Sequence, residues 1–72
     1  MMSKMKELIF LVEESLEGGY EARALETSIF TEAENLTELK EAIRDAVKCH
    51  FNEKEMPRLI RLHFVKEEVI TI

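Results

Sequence analysis

The chain has 72 residues, 10 Lys+Arg against 15 Asp+Glu, a net charge of -5, and is 46% hydrophobic and 35% charged. That apolar content excludes disorder by low hydrophobicity, and the length allows one domain, residues 1–72. The acidic balance argues against nucleic acid or an anionic membrane surface as the main partner, and the one Cys cannot close a disulfide, which points to a reducing compartment, the cytoplasm.

Met1, Met2 and Met5 are three possible starts, and residues 1–4 are expected to be a frayed lead-in. Residues 8–12 form the apolar run near the N-terminus, closed by Glu13 and Glu14. A secretory core needs about 7–15 apolar residues and a membrane span about 20, so neither is expected. Residues 6–13 read as a strand with Leu8, Phe10 and Val12 on one face and Ile9 and Leu11 on the other. Apolar side chains on both faces predict a central strand. Residues 14–19 turn the chain, and Gly18 and Gly19 permit positive φ there. Residues 20–25 alternate Tyr20, Ala22 and Ala24 against Glu21 and Arg23, the pattern of a strand with one face to the core. Residues 28–33 form a short strand holding Ile29 and Phe30.

A helix follows. Asn35 can accept from the free N–H groups of its first turn, and Glu38 can reach back as in a capping box. Leu36, Leu39, Ile43, Ala46, Val47 and His50 fall on one stripe. The opposite face offers pairings of Glu41 and Asp45 with Arg44 and Lys48. Pro57 blocks helix and introduces a last long strand at residues 58–65, with Ile60, Leu62 and Phe64 alternating against Leu59, Arg61, His63 and Val65. Residues 69–72 are also strand-like, without the Gly or Asn of a tight hairpin before them.

The order β-β-β-α-β, with a final β open, predicts an α+β fold. Three antiparallel strands form a meander, the helix crosses one sheet face, and the last long strand lies beside the first, giving the order 3-2-1-4. One helix covers one face only. The other face keeps apolar side chains and is expected to form a homodimer or tetramer. Its candidate interface residues are Ile9, Leu11, Leu59, Arg61, His63 and Val65.

No catalytic, cofactor or metal site is expected. Cys49 and His50 point about 100° apart on a helix, which is poor for sharing an ion, and His63 comes from the sheet. Cys49 sits at a helix C-terminus, where the dipole raises a thiol pKa, and lacks an orienting group and an oxyanion hole. Glu13, Glu14 and Glu17 rim a turn, Glu32, Glu34, Glu38 and Glu41 surround the helix start, and the central strand interior, residues 8–12, holds none of the acids a two-metal nuclease needs. Arg58, Arg61 and Lys66 could line an RNA strip, but Glu53, Glu55, Glu67 and Glu68 oppose phosphate and no aromatic platform interleaves with them.

The apolar run at residues 8–12, the sequence Glu17-Gly18-Gly19-Tyr20, then Ala22 and Ala24, and the helix start Ala33-Glu34-Asn35-Leu36-Thr37-Glu38-Leu39 together resemble the HicB antitoxin family. The likeness is to its N-terminal, partial ribonuclease-H-like domain and to compact stand-alone archaeal and bacterial members, and spans about two thirds of the chain. Departures are Leu25-Glu26-Thr27-Ser28 in place of a Pro-containing loop ending in Gly-Cys, Ala33 in place of Gly, and no C-terminal DNA-binding module. The resemblance implies a non-enzymatic antitoxin that masks a small basic ribonuclease toxin of the HicA type. The alternative is an orphan homo-oligomer with no toxin partner.

Overall fold

The computed structural model describes residues 7–66 and 68–72. Four strands and one helix follow in the order β1 (Glu7–Glu14), β2 (Tyr20–Ala24), β3 (Phe30–Ala33), α1 (Leu36–His50) and β4 (Leu59–Val65). They form a mixed sheet ordered β3-β2-β1-β4, in which β1 runs antiparallel to β2 and parallel to β4. This is the α+β fold and strand order expected from the sequence. Residues 1–4 and Lys6, expected as a lead-in and a strand start, lie outside the described residues.

The central place of β1 follows from its two apolar faces. Leu8, Phe10 and Val12 are buried on the helix side, and Ile9 and Leu11 are half-buried on the open side. Ala22 and Ala24 on β2 let α1 approach closely, and Leu39, Ile43 and Val47 fill the space above them. Ile29, expected inside the third strand, instead precedes it. It is buried, and its carbonyl accepts from the Ala24 N–H at 3.0 Å. Leu25, expected as the last residue of the second strand, lies just past its end and still donates its N–H to the Ile9 carbonyl at 3.0 Å.

The turn between β1 and β2 closes through the Ser15 N–H to the Gly19 carbonyl at 2.9 Å and the Gly18 N–H to the Ser15 carbonyl at 3.1 Å. Gly18 and Gly19 both have positive φ, 102° and 87°. At Gly19 a Cβ would also sit 2.8 Å from the Ala33 carbonyl oxygen, so both backbone strain and a clash with β3 require glycine there.

Asn35 caps α1 by accepting the Glu38 N–H at 2.8 Å. The return arm of the expected capping box, from the Asn35 N–H to the Glu38 carboxylate, is not made among the described residues. His50, placed on the apolar stripe from sequence, is exposed and stacks edge-on with Phe51, ring centres 4.9 Å apart. The expected pairings of Glu41 and Asp45 with Arg44 and Lys48 are also not made. Among the described residues the ion pair is Arg61 with Glu7. After α1, Asn52 accepts the Glu55 N–H on its side chain at 3.0 Å, and buried Pro57 leads into β4.

Two differences from the expected fold bear on function. The helix packs on β2 and β3 and does not extend over β4, so Ile60 and Leu62 are only half-buried and Phe64 is 56% exposed. Residues 69–72, with strand-like side chains, form no strand in this chain, and Val69 and Ile70 are 88% and 85% exposed. Backbone groups there have no ladder to join, so propensity alone does not make a strand.

Candidate functional site

The side of the sheet away from α1 is assembled from rows of paired residues. Glu7 lies beside Leu59, Ile9 beside Arg61, Leu11 beside His63 and Glu13 beside Val65. On the other side of β1, Leu11 lies beside Arg23, which lies beside Phe30, and Glu13 lies beside Glu21, which lies beside Glu32. Cross-strand partners share a face, so all six candidates, Ile9, Leu11, Leu59, Arg61, His63 and Val65, lie on this one face.

Its centre combines the apolar Ile9 and Leu11 with the basic side chains Arg61, His63 and Arg23 beside them. Ile9 and Leu11 are half-buried between flanking strands, while Leu59 and Phe30 are each 58% exposed at opposite edges. Phe30, expected in the third strand but not among the six candidates, also contributes, and its side of the sheet follows only from its pairing with Arg23. The same register reveals a ladder of three glutamates, Glu13, Glu21 and Glu32, directly opposite one another on three strands. Like charges facing across a sheet oppose folding. Among the described residues no ion pair neutralises the ladder, although Arg23 stands two residues from Glu21.

Electrostatics are strongest at the other end of the face. The Arg61 Nε donates to Glu7 Oε2 at 2.6 Å, and its Nη2 to Glu7 Oε1 at 3.3 Å. The hydrogen bond from Arg61, with its positive charge, holds the Glu7 carboxyl below the usual carboxylate range and raises Arg61 further. Because the folded pKa is depressed, any stability from Glu7 is present above its unfolded pKa and lost as pH falls through the folded one. In an NMR titration the Glu7 carboxyl carbon is expected to shift at a pH below the usual carboxylate range, and Arg61→Gln to move that midpoint upward. An unchanged midpoint in the variant would show that the pair does not form in solution.

The soft ligands do not converge. Cys49 is exposed at the end of α1 beside His50, whereas His63 lies on the open face of β4. Among the described residues no three His, Cys, Asp or Glu side chains are placed to hold a metal ion. Nor is any helix there long and apolar enough to cross a membrane.

Two relatives match most of this sequence. A UPF0150 protein of Archaeoglobus fulgidus is 59% identical over 56 residues, covering 78% of this chain and 83% of its own. A UPF0150 protein of Thermotoga maritima is 42% identical over 71 residues, 99% of this chain and 100% of its own. This chain belongs to the UPF0150 family. No family model matches it, and no solved structure does. The relatives carry the UPF0150 name and not a HicB one, and that name states no activity.

Proposed function

We propose that this UPF0150 chain is a non-enzymatic protein-interaction module of the cytoplasm, an antitoxin-like inhibitor whose open sheet face binds and masks a small basic ribonuclease toxin of the HicA type. The observation that carries this reading is the ladder of Glu13, Glu21 and Glu32 bordering the apolar Ile9, Leu11 and Phe30, with Arg23 between the last two. An uncompensated acid row opposes folding of the isolated chain and attracts a cationic partner, while the apolar side chains provide area to bury. The same row repels phosphate, so neither RNA nor DNA is the ligand of this domain by itself. No cofactor or metal enters the reading.

The test is a tagged pull-down from the source organism, followed by a ribonuclease assay on the recovered partner. A small basic protein recovered near one-to-one, with ribonuclease activity that this chain suppresses, supports the reading. Phe30→Ala is expected to weaken that complex about tenfold while leaving the circular dichroism spectrum unchanged, since Phe30 is exposed. Recovery of the bait alone overturns the antitoxin reading.

A further inference from the structure

The β4 edge of the sheet is left unprotected. β4 ends the strand order, so one row of its backbone N–H and C=O groups has no strand to pair with among the described residues. It is seven residues long, contains no Pro, Lys or Glu, and carries apolar side chains on both faces. Such an edge is a template for another strand unless something covers it. On its helix side, the displacement of α1 toward β2 and β3 leaves a groove of about 350 Å³. Ile43, Ile60 and Leu62 line its floor, and Lys40 and Arg44 form a basic rim on a protein of net charge -5.

A segment with the complementary features lies in the same chain. Residues 68–72 read Glu68-Val69-Ile70-Thr71-Ile72, are rich in β-branched side chains, and have no strand partner among the described residues. In an extended strand Glu68, Ile70 and Ile72 share one face. The two isoleucines repeat at the spacing of Ile60 and Leu62, and the glutamate has the opposite sign to the groove rim. Folding back onto its own β4 would require a tight hairpin through Lys66, Glu67 and Glu68, where no Gly, Asn or Asp supplies the turn.

We propose that a second copy of this chain occupies the β4 edge. Residues 68–72 of each copy add as a strand to the β4 of the other. Ile70 and Ile72 enter the groove over Ile43, Ile60 and Leu62, and Glu68 meets Lys40 and Arg44. The exchange is reciprocal, so it closes on itself as a two-fold dimer and not as an open chain of copies. It also keeps self-association apart from the open face, which stays free for a foreign partner.

Sedimentation of the wild-type chain at micromolar concentration should give twice the 8.4 kDa monomer mass. Hydrogen exchange should show protected amides at residues 69–72. The double change Ile70→Asp and Ile72→Asp removes exposed side chains that touch no core, so it should give a folded monomer without that protection. As a second variant, Lys40→Glu with Arg44→Glu alters exposed helix residues and should raise the dimer Kd about tenfold or more. A monomeric wild-type chain overturns the proposal, including one whose residues 69–72 are protected by folding back on themselves. So does a dimer indifferent to both variants. Loss of that dimer in Leu11→Glu would instead place self-association on the open face. None of these outcomes depends on whether a basic partner is captured, so this proposal and the inhibitor reading fail separately.

Discussion

Replacing Phe10 by alanine is expected to remove a large share of the fold's stability. Phe10 has no exposed surface and sits in the middle of the central strand, between Leu62 on β4 and Ala24 on β2. Truncating a fully buried Phe costs about 3–5 kcal/mol, because the transfer energy is lost and the surroundings collapse only in part. A 72-residue domain has about 4–11 kcal/mol of stability in total. The change should lower the thermal midpoint by about 15–30 °C, or remove the cooperative transition. Phe64 provides the comparison. It belongs to the same helix-side face but is 56% exposed, and Phe64→Ala should cost about 1 kcal/mol or less. Both variants must be unfolded at one protein concentration, because self-association would add to the stability of each. Equal losses from the two would mean that the core is not centred on the helix side of β1 and β2.

The contrast between Phe10 and Phe64 also marks how much the sequence could reveal. A strand with Leu8, Phe10 and Val12 on one side and Ile9 and Leu11 on the other has to be covered on both sides and flanked on both edges. That requirement, together with the meander of the first three strands, gives the order β3-β2-β1-β4. Alternation likewise assigns the six candidate face residues to one side without coordinates. Alternation does not say how far α1 reaches. Ala22 and Ala24 are small, so the helix settles over β2 and β3, and Phe64 stays exposed although its pattern matches that of Phe10. The tail illustrates a second limit. Val69, Ile70, Thr71 and Ile72 have strand-forming side chains, but a strand exists only with a partner, and none is paired to them among the described residues. The glutamate ladder illustrates a third. Glu13, Glu21 and Glu32 are eight and eleven positions apart in sequence and become neighbours only through the register of two strand pairs. A shift of one residue in either pair would dissolve the row.

That ladder makes the second large prediction, in which stability and binding move in opposite directions. Glu21 stands between Glu13 and Glu32, so Glu21→Lys turns two like-charge pairs into two opposite-charge pairs. Cross-strand charge pairs contribute about 0.2–1 kcal/mol each, so the variant should gain about 1 kcal/mol and melt about 4–8 °C higher. The gain should shrink as salt is raised, since the row is solvated and screened. If a basic ribonuclease is the partner, as proposed, the same variant should bind it about tenfold or more weakly, mainly through slower association at low salt. Glu21→Gln should fall between wild type and Glu21→Lys on both measures. A residue held for packing would lose stability when replaced, and a neutral surface residue would change neither quantity. Higher stability together with weaker binding is the signature of a charge kept in place for a partner. Higher stability with unchanged binding would remove the ladder from the interface and, with it, the main support for an inhibitor of a basic toxin.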